Sequence, residues 1–229
     1  MKDVKGTYTA FHERKNPEHI YPTEWVIRTL LGSYPNLSLD RSRYAGSRIL
    51  DVGFGDGRNW PLLRNASFDV YGVEITEAIV SLGVERAESL GMTATLKVGT
   101  NSAIPFGDGY FDYILACHSC YYVDAGTKFE DNLREYHRVL KPEGILLASL
   151  PEAGHSIFNG CVELGEGHVE IRNDPWGLRN GYVMRRFHTE AEIERAFQPL
   201  FRPLSTGVCR DNYYGVDINS FLLVCRKSV

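Results

Sequence analysis

The segment that most constrains this chain is Leu50-Asp51-Val52-Gly53-Phe54-Gly55-Asp56-Gly57, in which a short apolar run enters a loop with glycine at alternate positions. The run from Ile49 to Val52 is closed by glycines and reads as a buried strand rather than a helix. Glycine admits positive φ and lets a ligand lie directly against backbone, and a short helix over residues 58–65 would add unpaired N–H groups at its start. This is a cradle for a nucleotide-like ligand. A dinucleotide fingerprint would need glycines at 53, 55 and 58, but position 58 is Arg. Glu74 closes the next strand 23 residues after Asp51, where a carboxylate can accept both hydroxyls of a ribose. An acid at Asp51 suits a cationic group better than phosphates. A ribose without a pyrophosphate is implied. The plainer readings, a tight turn for the glycines and a solvated helix start for Glu74, stay open at this point.

Periodicity places the loop in a regular alternation between residues 48 and 150. Val70 to Val73 reads as a second strand, 77–90 as a helix with Ile79, Leu82, Ala87 and Leu90 at helical spacing, 93–98 as a third strand and Phe111 to Ala116 as a fourth. Residues 128–140 carry the apolar stripe Phe129, Leu133, Tyr136, Val139 and Leu140, and the continuously apolar Ile145 to Leu150 reads as a strand buried on both faces. Strands alternating with helices imply a parallel sheet covered on both sides. Residues 152–186, rich in Gly, Asn, His and Arg, show little periodicity and read as a lid or excursion over the site. A capped helix follows over 189–201, then two closing strands over about 204–210 and 220–225 that would pair antiparallel. Residues 1–45, with a helix over 23–31, form an N-terminal cap.

With these elements in order, the sequence resembles the class I S-adenosylmethionine-dependent methyltransferases. Asp51-x-Gly53-x-Gly55-x-Gly57 matches the family's first motif, and Glu74 matches its acid at the end of strand two. Gly99 to Phe106 followed by Asp108 and Phe111-Asp112 is similar to the family's Gly-Asp-Ala-x-x-Leu-Pro-Phe segment, and Leu133 to Gly144 to its helix and turn before strand five. The resemblance implies an α/β, Rossmann-like, doubly wound fold with a seven-stranded, mostly parallel sheet and an antiparallel C-terminal strand hairpin. It implies that Asp51, Gly53, Gly55 and Gly57 hold the methionine part of S-adenosyl-L-methionine, Glu74 the ribose and Ile75 one face of the adenine. Cys117 follows strand four within the same crevice. The family's adenine-facing Asp falls on Thr100 here, so Asn101 or Ser102 would take that contact.

Methyl transfer from a sulfonium is an in-line displacement, which requires alignment and, for a hydroxyl or protonated amine, loss of a proton. His118, just after the fourth strand, is the first general-base candidate and His155 the second, each with a structural histidine as the competing reading. For the acceptor, Tyr121, Trp176, Arg179, Tyr182 and Arg186 are candidates. Four Arg against one Asp between residues 172 and 186 give a local charge of +3, which suggests an acceptor with a negative group and a flat or apolar part. Tyr8, Phe11 and His12 fold over the cofactor if the N-terminal segment reaches it.

Composition narrows the function classes. A formal charge of −4 over 229 residues argues against a chain that holds a phosphate backbone. Nothing approaches the roughly 18 apolar residues of a membrane span, and the start has no apolar core behind its charges. Five cysteines are too few for a disulfide framework, which fits a reducing, cytoplasmic compartment, and Cys117 and Cys120 lack the second Cys or His pair of a structural zinc site. The expectation is a single methyltransferase domain over 1–229: a cap over 1–45, a cofactor half over 46–151, a lid over 152–188 and a closing helix and hairpin over 189–229. Its expected chemistry is O- or N-methylation of a small-molecule acceptor, without nucleic acid, membrane or metal. Methylation of a protein or RNA, a non-catalytic cofactor-binding module and a nicotinamide oxidoreductase are the alternatives.

Overall fold

The computed structural model describes residues 4–14 and 20–228; residues 1–3, 15–19 and 229 of the expected segments lie outside the described residues. The chain begins with α1 (Val4–Glu13), α2 (Glu24–Leu31) and a small hairpin of β1 (Ser33–Tyr34) and β2 (Leu37–Ser38). The alternating part follows as β3 (Arg48–Val52), α3 (Trp60–Asn65), β4 (Asp69–Glu74), α4 (Glu77–Ser89), β5 (Ala94–Val98) and β6 (Phe111–Ala116). Next come β7 (Tyr122–Val123), α5 (Phe129–Val139), β8 (Leu140–Pro151), β9 (Val162–Gly165), β10 (His168–Glu170) and β11 (Val183–Arg185). The chain closes with α6 (Glu190–Phe197), β12 (Phe201–Tyr213) and β13 (Val216–Lys227).

Seven strands form the main sheet in the order β12-β13-β8-β6-β3-β4-β5. β3 pairs parallel with β4 and with β6, β4 with β5 and β6 with β8, while β13 runs antiparallel to both β8 and β12. The Rossmann-like fold implied by the sequence is the one observed. Alternation along the central strands splits the core in two. Leu50, Val52, Ile114, Leu146 and Ala148 pack on one face with α5, α6 and Val169, Met184 and Phe187, and Ile49, Tyr113, Leu115, Ile145 and Leu147 pack on the other with α2, α3 and α4. Chain order reverses beside β3, where β4 lies on one side and β6 on the other. A parallel sheet opens a crevice at such a switch point, outside the carboxyl ends of the strands.

The expected excursion after Pro151 is more ordered than its composition suggested. β7, β11, β10 and β9 form a second, antiparallel sheet in that order, with Val183 beside Val123 and Met184 beside Tyr122. Its strands are two to four residues long, too short to show a two-residue period against the surrounding glycines. The closing hairpin is longer than expected. β12 and β13 pair from Phe201–Lys227 to Tyr213–Val216, and the turn is Tyr214-Gly215 alone, both with positive φ. Two such residues match the right-handed twist of the strands, so pairing persists through the Asp- and Asn-rich part. The expected helix over 189–201 stops at Phe197, because Phe201 is already paired with Lys227.

Three buried rings join the second sheet to the main body. Phe129 of α5 meets Phe187 with centroids 5.4 Å apart and Phe197 of α6 at 5.9 Å, and all three are fully buried. Removing the central ring leaves a cavity between α5, α6 and the strand that ends the excursion. Phe129→Ala is expected to cost about 3–5 kcal/mol in urea unfolding; a loss below about 1 kcal/mol would show that the second sheet is not anchored there.

Candidate active site

A cavity of about 260 Å³ lies at the carboxyl ends of β3, β4 and β6, between the glycine loop, α1 and the second sheet. Its floor is set by the loop. Gly53, Gly55 and Gly57 all have φ between 57° and 66°, the left-handed region that strains any residue with a Cβ. A Cβ at Gly53 would lie 2.8 Å from the Cβ of Ser119, and one at Gly55 2.7 Å from the ring of His12. Gly57 serves a different neighbour: it faces the buried Trp60 ring at 2.7 Å and is not part of the cavity wall. The third glycine therefore makes the turn into α3, which is the plainer reading for that position.

Two buried acids stand at the strand ends. Glu74, 3% exposed, accepts the Gly55 N–H on Oε1 and the Ile75 N–H on Oε2, both at 2.9 Å. Burial raises its pKa, against the pull of those two backbone bonds. Asp51, 2% exposed, accepts the Trp60 indole N–H at 3.1 Å. Burial pushes its carboxyl up to about 7, the indole bond opposes the shift and the charge of Glu74 adds to it. A buried carboxyl in this condition is matched to a cationic partner, which would restore its ionised form.

The far wall belongs to the segment after β6 and to the second sheet. Cys117 lines the cavity, but burial raises its thiol to about 12, so it is no thiolate. His118 has φ 56°, its backbone N–H bonds Ser149 Oγ at 2.8 Å and its Nδ1 lies 3.2 Å from the same hydroxyl. The residue is exposed and lines the cavity. Desolvation at the cavity wall, then the charge of Arg179, the neighbouring His155 and the charge of Arg58, hold it down to about 4. It is a neutral imidazole and a weak base. Arg179 donates from Nε to the Tyr122 hydroxyl at 2.9 Å and from Nη1 to the buried Asp174 at 3.2 Å. Asp174 in turn accepts the backbone N–H groups of Leu178 and Arg179.

The cavity thus collects Asp51, Gly53, Gly55, Glu74, Ile75, Thr100, Asn101, Cys117, His118, Arg179 and Tyr182 from the residues singled out in the sequence, together with Tyr8, Phe11 and His12 of α1. Other candidates are placed elsewhere. Ser102 is turned to Asp124 and Thr100. Tyr121 is buried and stacked on Tyr122, and it is Tyr122 that lines the cavity. His155 caps a short helical turn by accepting the Ile157 N–H. Trp176 is half exposed, against the Arg179 guanidinium, and Arg186 pairs with Glu163 and Cys161. Arg172 pairs with Glu170, so of the four arginines between 172 and 186 Arg179 alone reaches the cavity wall. Asn101 lines the cavity, but both its amide protons go to the carbonyls of Ser119 and Tyr122 and its oxygen takes the Tyr136 hydroxyl.

Ser119 and Asp124 are cavity residues that sequence reasoning passed over, and of the neighbouring pair Tyr121 and Tyr122, either of whose hydroxyls could reach substrate by sequence, it is Tyr122 that lines the cavity. Ser119 Oγ is buried without a hydrogen-bond partner among the described residues, a group that a polar ligand atom would satisfy. The glycine cradle, the buried carboxylate that ends β4 and the buried Asp51, which has no ion pair among the described residues, fit S-adenosylmethionine.

The comparisons agree with that fit. A methyltransferase domain model matches residues 50–148. A ubiquinone/menaquinone biosynthesis C-methyltransferase of Geotalea uraniireducens (strain Rf4) is 34% identical over 185 residues, 77% of this chain and 76% of that protein. The chain belongs to the class I S-adenosylmethionine-dependent methyltransferases. It spans less than half the length, 42 to 46%, of several other curated relatives. Among solved structures, a S-adenosylmethionine-dependent methyltransferase of Methanosarcina mazei has a TM-score of 0.67 at 20% identity, covering 92% of this chain and 100% of that one. The Burkholderia thailandensis 1,6-didemethyltoxoflavin-N1-methyltransferase, solved with its acceptor and S-adenosylhomocysteine, has a TM-score of 0.59 at 18% identity over 81% of this chain and 72% of that one. These two share the fold.

The state of Asp51 gives the methyltransferase a measurable signature. A ligand ammonium beside a carboxyl that holds its proton up to about pH 7 displaces that proton. Affinity for S-adenosylhomocysteine is expected to rise between about pH 5.5 and 7.5 and to flatten above, with nearly one proton released per ligand near pH 6. Calorimetry in two buffers of different ionisation enthalpy reads the release, and Asp51→Asn should abolish it. A flat affinity and no release in the unaltered chain would refute the pairing of Asp51 with a cation.

Proposed function

We propose that this methyltransferase methylates a small, flat acceptor that carries an acidic group, with Asp51 and the loop at Gly53 and Gly55 holding the methionine part of the cofactor, Glu74 the ribose and Ile75 the adenine. Bound there, S-adenosylmethionine supplies an electrophilic methyl carbon on a sulfonium. The observation that carries the acceptor reading is the convergence of Arg179, Tyr122, Tyr182 and Tyr8 on the cavity from the second sheet and α1. These are aromatic walls with one guanidinium; the carboxylate of Asp124, next to β7, also lines the cavity and accepts the Ser102 hydroxyl. An anion meeting a sulfonium reacts without prior loss of a proton, which suits a site where the imidazole of His118 is held neutral near 4.

The second sheet and α1 form the acceptor side in this reading, and the glycine loop with β4 the cofactor side. Enclosure by both excludes water and favours a small acceptor over a protein or RNA strand. The likeness to a C-methyltransferase of quinone biosynthesis favours a second reading for the atom that is methylated: a ring carbon beside an ionised hydroxyl, in place of the oxygen or nitrogen expected from the sequence. Both readings place the acidic oxygen against Arg179.

Turnover of S-adenosylmethionine to S-adenosylhomocysteine, followed by mass spectrometry with a panel of phenols, enols, amines, a basic protein and RNA, tests the acceptor class. Acidic hydroxyl compounds are expected to be methylated, and Arg179→Ala to lower kcat/KM for them at least about 100-fold while S-adenosylhomocysteine affinity stays within about twofold. Methylation confined to the protein or the RNA would overturn the small-acceptor reading.

A further inference from the structure

The hydrogen bonds around Arg179 narrow the acceptor further than charge alone. Arg179 offers five N–H donors in a planar fork. Its Nε is committed to Tyr122 and its Nη1 to Asp174, and Nη2 has no partner among the described residues. Neither edge of the fork is left whole. A carboxylate or phosphate bound bidentately needs two parallel N–H donors on one edge, and this guanidinium cannot present them without releasing Tyr122 or Asp174.

What it presents instead is a single-oxygen subsite. The Tyr122 oxygen accepts the Arg179 N–H at 2.9 Å and is also on the accepting side of a hydrogen bond with the Tyr121 side chain, so its own proton is directed elsewhere, and no hydrogen bond from it to an acceptor is seen among the described residues. The side chain lines the cavity. A phenol that receives a hydrogen bond from a guanidinium is the stronger donor for it. The groups around it are Tyr121 stacked at 4.9 Å, Tyr182 edge-on at 5.2 Å, Tyr8 of α1, His118 and the carboxylates Asp174 and Asp124. Asp174 is matched to Arg179 and Asp124 accepts from Ser102. Arg179 balances the charge of Asp174, whereas Asp124 takes only the neutral Ser102 hydroxyl and has no ion pair among the described residues, so an anion bound at Tyr122 and Nη2 is held against that one carboxylate.

We infer that the Tyr122 hydroxyl and Arg179 Nη2 form a subsite for one oxyanion, so that the acceptor is a phenol or enol bound in its ionised form rather than a carboxylic acid, a phosphate or an amine. This rests on the methyltransferase reading and specifies its acceptor side. The electron pair of the bound anion forms the new bond to the methyl carbon as the carbon–sulfur bond breaks with its electrons passing to sulfur. Anion and sulfonium charges cancel, and at oxygen no proton has to be removed. Donors fixed in a walled cavity stabilise the anion without reorganising.

A chromogenic phenol reads this directly. With S-adenosylhomocysteine present, 4-nitrophenol is titrated against the full chain and its ionised form followed by absorbance. The bound probe is expected to have its pKa lowered by at least about one unit, equivalent to at least tenfold tighter binding of the anion. Binding of 4-nitrobenzoate should be at least about tenfold weaker than that of the phenolate. Tyr122→Phe should cut the shift to less than about half with unchanged thermal midpoint and unchanged S-adenosylhomocysteine affinity. Should that variant unfold, Arg179→Lys, which loses the fork but keeps the charge, should show the same loss. Equal binding of phenol and phenolate, binding of nitrobenzoate as tight as the phenolate, or no binding of the probe with S-adenosylhomocysteine bound would overturn the oxyanion subsite alone. Failure of S-adenosylhomocysteine itself to bind would overturn the reading beneath it.

Discussion

The site depends on one buried carboxylate. Glu74 at the end of β4 receives the N–H of Gly55 and the N–H of Ile75, and so fastens the loop after β3 to the neighbouring strand. Burying an acid is unfavourable unless its oxygens are bonded, and the two backbone donors supply that bonding while leaving further lone pairs on each oxygen. The same group that sets the loop's position therefore faces the cavity as an acceptor. With Asp51 on the adjacent strand also buried, the crevice carries two acids whose ionisation is resisted by their surroundings. A ligand with hydroxyls and a positive charge relieves both.

The opposite wall has the reverse character. Tyr122, Tyr182, Tyr8 and Arg179 are donors and aromatic faces, and His118, clamped by Ser149, is neutral. The polarity of the cavity thus runs from the acids at the ends of β3 and β4 to the donors of Tyr122, Tyr182, Tyr8 and Arg179. The packing explains how two sheets sustain this. β7 leaves the β6 end and pairs with β11, which sets Tyr122 beside the segment carrying Arg179, and the rings of Phe129, Phe187 and Phe197 fix that small sheet against α5 and α6.

The central sheet was readable because its strands are apolar on both faces and its glycines mark strand ends. Glu74 and Asp51 were readable because Glu74 closes β4 and Asp51 is the next-to-last residue of β3, just before the glycine loop. The second sheet was not, since β9 is exposed along its whole length and the strands are only two to four residues long. The local excess of arginine misled for a definite reason: the partners Glu163 and Glu170 lie just upstream of the stretch over which charge was counted. Tyr121 and Tyr122 are adjacent in sequence and their rings stack on each other, so residue type and position do not tell them apart. The fold separates them: Tyr121 is buried in the core and Tyr122 lines the cavity. His155 followed a strand end just as His118 does, yet the turn it enters uses its imidazole as a cap.

The central claim is that Glu74 receives the ribose while it holds the loop. Calorimetric binding of S-adenosylhomocysteine and of its 2′,3′-dideoxy analogue to the unaltered chain and to Glu74→Gln forms a cycle that separates the two roles. The account expects the unaltered chain to bind the full ligand at least about tenfold more tightly than the dideoxy analogue, and Glu74→Gln to bind the two within about threefold of each other. Equal discrimination by both proteins would contradict it, leaving Glu74 as a loop fastener that the ribose does not touch.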